Sequence, residues 1–204
     1  MERQPAPVVN HHAGRPGFSG PIGLVVGLGM YVTGRRRART VAELVAVGGD
    51  DHVVDIGCGP GVAVAAAARR GARVTGVDPS PMMLRLARNL VRGKEIRWAE
   101  GAAENLPIPD EVATVAWAIS TVHHWPDITG ALAEVRRVLT SGGRFVVIER
   151  QSPGGATGLA SHGWTEGQAQ SFAEQCRAAH FADLRADRYT VGGQAFWAVR
   201  ASRP

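Results

Sequence analysis

The sequence predicts an α/β protein with a mostly parallel sheet between two layers of helices. Three observations lead to this prediction. Short apolar stretches rich in β-branched residues alternate with stretches of helical composition. The first of them, Val53–Ile56, runs directly into a glycine turn, and an alanine-rich helix follows it. A later stretch, Ala113–Ile119, is apolar almost throughout, as expected for a central parallel strand covered on both faces.

The glycine turn has the spacing Gly-x-Gly-x-Gly, with glycines at positions 57, 59 and 61. Glycines allow positive φ angles and let a ligand approach the main chain closely. A dinucleotide fold has Gly-x-Gly-x-x-Gly, and its third glycine lets pyrophosphate sit on the helix N-terminus. Val62 stands at that third place, so the turn favours a nucleoside without phosphates. The turn by itself leaves open a structural turn or another nucleotide-binding fold.

A second strand, Arg73–Asp78, ends in a carboxylate about 20 residues after the glycine turn, where a ribose-binding acid belongs. The Asp78 carboxylate can accept hydrogen bonds from both ribose hydroxyls. Ser80 can cap the next helix, and Pro81 suits its first turn. We therefore expect Asp78 to lie at the start of a helix beside the glycine turn.

These residues resemble motif I of the class I S-adenosylmethionine-dependent methyltransferases, in which an acid two residues before the first glycine is typical, here Asp55. Residues 50–150 are similar to small-molecule enzymes of the ubiquinone and menaquinone C-methyltransferase kind, with a type 11 methyltransferase domain. The resemblance implies a three-layer αβα, Rossmann-like methyltransferase fold whose seven-stranded, mostly parallel sheet ends in an antiparallel hairpin. It also implies S-adenosylmethionine as cofactor and S-adenosylhomocysteine as product.

The resemblance implies a set of cofactor-binding residues along the first four strands. One departure concerns the adenine ring. In the family an aspartate accepts a hydrogen bond from the adenine amino group, and Ala102 stands at that position here. The contact to the adenine amino group is therefore expected to be lost, shifted or made by the main chain. Glu104 is a candidate to replace the missing aspartate. The implied residues are Asp55, Gly57, Cys58, Gly59, Gly61, Asp78, Pro79, Met83, Ala102, Ala103, Glu104 and Ser120.

A histidine pair, His123 and His124, follows the fourth strand, where ligands of open α/β sheets bind. The family often has such a pair here. If the methyl acceptor is a hydroxyl or an acidic carbon, one of these imidazoles can act as base or contact the acceptor. The alternative is that one ring packs or orients the loop. We expect no metal, because metal-assisted enzymes cluster acids past this strand and Asp127 stands alone there.

The chain divides into an N-terminal arm and helical lid, residues 1–47, and a cofactor-binding domain, residues 48–204, within one globular unit. Residues 1–20 have loop composition, and residues 21–47 are expected to form one or two helices. In enzymes of this kind the segment before motif I commonly covers the cofactor. By resemblance, Tyr31 and the arginines after it are expected to contribute to that lid.

The C-terminal part is expected to contain a substrate loop, a helix and a hairpin. Residues 151–164 have the Gly- and Ser-rich composition of a loop. Thr165 and Gln168 form a capping box for a helix that ends near residue 179. Two alternating stretches, residues 187–191 and 195–200, flank a Gly-Gly turn and predict the terminal antiparallel hairpin.

Composition restricts the partners. The net charge is +5, but the arginines are spread along the chain, and the one cluster, residues 35–39, lacks interleaved aromatic residues for stacking bases. That cluster is read as a solvated helix face, with an anionic partner as the alternative. With only Cys58 and Cys176, and no secretory signal, we expect a cytoplasmic protein. The apolar run 22–32 is too short for a membrane span, and peripheral membrane contact stays open.

The resulting hypothesis is an enzyme that moves a methyl group from S-adenosylmethionine to a small molecule. The apolar run 22–32, with Trp125 and Trp164 expected near the mouth of the site, favours a lipophilic or aromatic acceptor. A nucleic-acid methyltransferase is the first alternative, although neither an Asn/Asp-Pro-Pro-Tyr motif nor a Pro-Cys pair follows the fourth strand. A non-catalytic cofactor-binding protein is the second. The oligomeric state is open.

Overall fold

A computed structural model describes residues 8–13 and 20–204 of the chain. Its centre is a seven-stranded sheet with the strand order β3-β2-β1-β4-β5-β7-β6. The first five strands are parallel, and the last two form an antiparallel hairpin that pairs with β5 through β7. The strands are β1 His52–Ile56, β2 Arg73–Asp78, β3 Ile96–Glu100, β4 Ala113–Ile119, β5 Leu139–Arg150, β6 Ala182–Val191 and β7 Gln194–Ser202.

Helices cover both faces of the sheet, as the sequence predicts. Two apolar clusters hold the layers together: one joins the sheet to α1, α2 and α3, and the other joins it to α4 and α5. The ranges are α1 Gly20–Leu44, α2 Val62–Ala68, α3 Pro81–Leu90, α4 Ile128–Val138 and α5 Glu166–Ala178. The predicted fold class, a three-layer αβα arrangement with a mostly parallel sheet and a terminal hairpin, is therefore confirmed.

Side-chain caps fix where three of the helices begin. The Ser80 hydroxyl accepts a hydrogen bond from the Met83 amide at the start of α3. The Asp127 carboxylate accepts one from the Gly130 amide at the start of α4. Thr165 and Gln168 form the predicted capping box of α5. These caps satisfy amides that have no partner inside the helix, so the helices start directly after the carboxyl ends of their strands or loops.

The segment before β1 is more ordered than its composition predicts. The expected one or two helices are a single helix, α1. Residues 8–13 pack onto the domain and do not form a flexible arm. Val9 is buried, and its carbonyl accepts a hydrogen bond from the Trp164 indole at 2.8 Å. The His12 amide donates to the His123 carbonyl at 2.9 Å. The remainder of the predicted arm, residues 1–7 and 14–19, lies outside the described residues.

Two tryptophans expected near the mouth of the site are core residues instead. Trp164 is 0% exposed and packs against Phe172, and Trp125 is 4% exposed in the same apolar cluster. Their large rings find enough apolar surface in the interior to be buried there. They therefore give no information on the acceptor. Among the described residues, no helix combines the length and apolar character that crossing a membrane requires.

Candidate active site

A cavity of about 400 Å³ opens at the carboxyl ends of β1, β2 and β4, and α1 covers it. This is the edge of an open α/β sheet at which ligands bind. Its volume lies within the range of small-molecule sites, about 300–1,000 Å³. Eight of the twelve predicted cofactor-binding residues line it: Asp55, Gly57, Cys58, Gly59, Asp78, Pro79, Met83 and Ser120.

The glycine turn brings the main chain to the cavity, and its glycines have different neighbours. Gly57 and Gly59 both have positive φ angles, 72° and 51°. A Cβ atom on Gly57 would lie 2.3 Å from the Thr121 hydroxyl oxygen, so this position is closed by packing. A Cβ on Gly59 would meet only the Met30 methyl, at 3.9 Å. Gly59 is therefore the position at which a ligand can contact the main chain.

Four predicted cofactor residues lie outside the cavity lining. Gly61 packs directly against Trp98: a Cβ atom at this position would lie 2.6 Å from the indole ring. Ala103 is buried in the core, and Ala102 forms a bridge with Asn105. Glu104 is half-buried, and its side chain lies beside Gly130. Gly61 thus has a packing role in this structure, and adenine contacts of residues 102–104 stay a prediction.

The Asp78 carboxylate is held in place at the end of β2. Its Oδ2 accepts a hydrogen bond from the Gly59 amide and its Oδ1 one from the Ser80 amide, both at 2.8 Å. Burial raises the pKa of Asp78, and these two amides offset part of that rise. Each carboxylate oxygen keeps a further lone pair. Asp78 can therefore accept two hydrogen bonds from a diol in the cavity, as a ribose requires.

Asp55 places a second buried carboxylate in the same cavity. The residue is 2% exposed, and its Oδ2 has no hydrogen-bond partner among the described residues. Burial raises the pKa of Asp55 to about 7; the charge of Asp78 adds to the rise, and Trp117 and the Val64 amide oppose it. A buried carboxylate oxygen without a partner is costly unless a cation or a donor completes it. The cavity is thus suited to a ligand with a positive charge.

Substituting Asp55→Asn is expected to stabilise the ligand-free protein, and more so as the pH rises. The Asp55 pKa is raised from 3.8 to about 7 on folding, so the unfolded chain loses this proton first. The free energy of unfolding of the wild type therefore falls by at most about 4 kcal/mol between about pH 4 and pH 7. The Asp55→Asn variant has no proton to lose there and should not show this fall. Chemical unfolding at about pH 5 and pH 8 measures the difference.

The variant Asp51→Asn is a control of opposite sign. Although burial opposes it, hydrogen bonds from Thr114, Gly48 and Arg144 leave the pKa of Asp51 lowered. The Asp51 carboxylate stabilises the folded protein at pH values above its pKa in the unfolded chain, and this stabilisation is lost as the pH falls. The Asp51→Asn variant should therefore be less stable than the wild type at neutral pH. If Asp55→Asn changes the free energy of unfolding equally at both pH values, the buried charge is not the cause.

Five of the seven histidines gather at the other end of the cavity. His123 and His124 come from the 3₁₀ turn Val122–His124 after β4, and His162 comes from the loop after β5. His11 and His12 come from residues 8–13. The ring centroids of His123 and His124 lie 4.2 Å apart, and those of His12 and His162 also 4.2 Å. His124 and His162 line the cavity.

Within this group the hydrogen bonds orient individual rings. The buried His123 ring bonds through Nδ1 to Oε2 of Glu149 at 2.9 Å, and Glu149 is 0% exposed. Glu149 also accepts from the Val122 amide through Oε1. His124 contacts the His12 carbonyl through Nδ1 at 3.5 Å. Burial, followed by the neighbouring His123, lowers the pKa of His124 to about 4. The sequence predicted the pair and indicated that His11, His12 and His162 lie in loops that could fold over the site, but it did not identify Glu149.

Arg37 lines the cavity, and the sequence pattern alone did not distinguish it from the neighbouring arginines of the lid. It reaches the cavity from α1, donates to the Ser120 hydroxyl at 3.2 Å and lies over the Phe196 ring. Burial lowers its pKa, and the charge of Glu149 opposes this. Residues 30, 34, 37 and 38 share one helix face and all line the cavity. That helical spacing was the signal in the sequence that could have identified Arg37.

A comparison with known families gives a match over residues 54–147 to the family described as "Methyltransferase domain". Among curated relatives, the demethylmenaquinone methyltransferase of Tropheryma whipplei (strain Twist) is 36% identical over 116 residues, 56% of this chain and 48% of that protein. The enzyme of the same name from Thermus thermophilus is 37% identical over 133 residues, 61% and 58% of the two chains. The chain spans about half the length of these relatives.

Solved structures show the same fold at low sequence identity. A SAM dependent methyltransferase from Aquifex aeolicus superimposes with a TM-score of 0.74 at 16% identity, over 89% of this chain and 98% of that one. The [4+2]-cyclase SpnF gives a TM-score of 0.71 at 18% identity, over 97% and 88%. Since one of these neighbours is named for a different reaction, the fold alone does not decide the chemistry.

Proposed function

We propose that this chain is a class I S-adenosylmethionine-dependent methyltransferase, and that it methylates a small lipophilic or aromatic molecule by direct displacement from the sulfonium. The observation that carries the proposal is the pair of buried carboxylates, Asp55 and Asp78, on either side of the accessible Gly59 main chain. Two buried acids repel a pyrophosphate and attract a cation. S-adenosylmethionine is a nucleoside that carries cationic groups and no phosphate.

Different residues of the cavity bind different parts of the cofactor. Asp78 accepts the two ribose hydroxyls, and Pro79 and Met83 lie where the adenine ring packs. Asp55 receives the ammonium group of the methionine part. Arg37, a half-buried cation in the cavity wall, pairs with the methionine carboxylate. Val62 stands at the start of α2 in the cavity wall, where a dinucleotide site has glycine.

The N-terminal helix acts as a lid over this site. We assign residues 1–47 to that role and residues 48–204 to the cofactor-binding domain, because α1 contributes Met30, Gly34, Arg37 and Ala38 to the cavity wall. Covering the cavity excludes water from the transfer. Both cysteines are buried free thiols, which suits a reducing compartment such as the cytoplasm.

When bound, S-adenosylmethionine supplies a methyl group activated by a positively charged sulfur. The chain then has to align an acceptor and keep water out. His124 lines the cavity and His123 packs against it, so we assign this pair to the acceptor, as its base or as contacts that position it. The cavity wall near them also contains Ser120 and Thr121, whose hydroxyls can hold a polar group of the acceptor.

A lipophilic acceptor agrees with the surface around the lid. Leu28, Met30 and Val32 on α1 are 40–59% exposed, and Met30 also lines the cavity. Exposed apolar residues next to a cavity favour an apolar ligand over a charged polymer. The two relatives named demethylmenaquinone methyltransferase point to the same class, since a quinone precursor is aromatic and lipophilic.

Transfer of labelled methyl groups tests the proposal. Purified protein is incubated with methyl-labelled S-adenosylmethionine and a cell extract, and the label is followed into organic-soluble, protein and nucleic-acid fractions. We expect label in the organic-soluble fraction, lost with the Asp78→Ala variant. Label in nucleic acid would replace the small-molecule proposal with the polymer alternative. Tight binding of S-adenosylhomocysteine without any transfer would indicate a non-catalytic cofactor-binding protein.

A further inference from the structure

The histidines at the acceptor end of the cavity form a group that the methyl-transfer proposal uses only in part. His123, His124 and His162 each offer a ring nitrogen, and these three nitrogens lie within 4.8 Å of one another. They come from two loops at the carboxyl edge of the sheet, after β4 and after β5. Three imidazoles gathered around one point, from separate segments, constitute a ligand set for a metal ion.

We propose that His123, His124 and His162 bind one divalent transition-metal ion of the zinc class. Imidazole nitrogens coordinate zinc at about 2.0–2.1 Å, so three of them around a tetrahedral ion lie about 3.4 Å apart. The three ring nitrogens now lie within 4.8 Å of one another, so binding an ion requires them to approach by at most about 1.4 Å. Three protein ligands leave a fourth position open, as in zinc sites that act on a substrate.

Hydrogen bonds behind the rings resemble those of metal-binding histidines. The Nδ1 atom of His123 faces the Glu149 carboxylate at 2.9 Å, and that of His124 faces the His12 carbonyl at 3.5 Å. Metal-binding histidines typically donate their second ring N–H to a carboxylate or carbonyl, which fixes the tautomer and the ring orientation. Both rings are thereby oriented to coordinate through Nε2. The fully buried negative charge of Glu149 also offsets the charge of a cation.

Two other histidines, His52 and His11, have hydrogen bonds typical of structural residues. His52 uses both ring nitrogens, one on the Val112 carbonyl and the other on the Thr75 hydroxyl. His11 does the same with the Ser161 carbonyl and the Gln168 amide. His11 therefore holds the loop of His162 in place and is not a ligand. The sequence predicted no metal because acids are not clustered after β4, whereas this site is made of imidazoles.

The position of the ion gives it a role that rests on the proposed function. His124 and His162 line the cofactor cavity, so the open coordination position faces the acceptor. An oxygen of the acceptor that binds there is oriented for attack, and a hydroxyl loses its proton to solvent more readily. The histidines would then serve the acceptor through the ion. Acceptors with an enol or phenol oxygen suit such a site best.

Metal binding by protein without a histidine tag tests this inference. Zinc is titrated in competition with a chromophoric chelator, and cobalt(II) reports the coordination geometry by its visible spectrum. We expect one ion per chain with a dissociation constant of about 1 μM or below, and at least tenfold weaker binding in His124→Gln and in His162→Gln. The control is His180→Asn, which removes an exposed histidine at a φ of 63° that asparagine tolerates.

Two results would overturn the inference: no binding tighter than about 1 mM, or equal loss in His180→Asn and the two cluster variants. Calorimetry with S-adenosylhomocysteine on the same samples keeps the two proposals apart. Normal cofactor binding without a metal site refutes only the metal. A metal site without cofactor binding refutes only the methyltransferase. A third variant, Glu149→Gln, is expected to weaken zinc by about tenfold, because the amide is a poorer partner for His123.

Discussion

Substituting Asp78→Ala is expected to weaken binding of S-adenosylhomocysteine by about 100-fold or more. The change would remove the two charge-assisted hydrogen bonds proposed for the ribose, each contributing about 1.5–3 kcal/mol. It also frees the Gly59 and Ser80 amides that the carboxylate now holds, so the glycine turn loses its fixed position. Isothermal titration calorimetry measures the loss, and thermal unfolding checks that the variant is folded.

A second ligand separates the contribution of Asp78 from that of the amino-acid contacts. 5′-Methylthioadenosine contains the ribose and adenine but not the ammonium and carboxylate groups. Asp78→Ala should weaken both ligands. Arg37→Gln should weaken only S-adenosylhomocysteine, and Arg39→Gln, on the exposed side of the same helix, should weaken neither. Binding of 5′-methylthioadenosine to Asp78→Ala within about threefold of wild type would show that this carboxylate does not hold the ribose.

Substituting Glu149→Ala is expected to lower the free energy of unfolding by about 3–5 kcal/mol. The side chain is fully buried and accepts hydrogen bonds from the Val122 amide and the His123 ring. Removing this carboxylate leaves the Val122 amide and the His123 Nδ1 atom without their buried partner and creates a cavity. Because domains of this size are stable by only about 5–15 kcal/mol, the variant should be close to unfolding. Urea unfolding measures the change.

Two variants test whether the buried contacts cause this loss. Glu149→Gln keeps the size and one acceptor for the Val122 amide, so it should lose less than half as much stability. Glu174→Ala removes an exposed acid that pairs with Arg177 at the surface, and it should leave the unfolding curve unchanged. Equal losses in Glu149→Ala and Glu149→Gln would indicate that the contacts to His123 and Val122 do not depend on the carboxylate.

Local sequence patterns predicted the sheet well. The ranges of β2 and β4 agree with the structure to the residue, because both strands are almost fully buried and end at polar or turn residues. The hairpin β6–β7 is longer than the predicted residues 187–200, since pairing with β5 extends it beyond the alternating pattern. The glycine turn, Asp55 and Asp78 were found for a similar reason: they follow consecutive short-range signals along one strand–turn–helix unit.

Local sequence patterns thus predicted the strand–turn–helix units and the two carboxylates of the cavity, because each of these features depends on residues within about 25 positions of one another. Only the tertiary structure decided that Arg37 enters the cavity, that Trp125 and Trp164 are core, and that His162 joins the pair after β4. Those facts depend on segments far apart in the chain, held together by packing of the lid and loops on the sheet. No local period records such a contact, since its free energy comes from burial between elements and not within them.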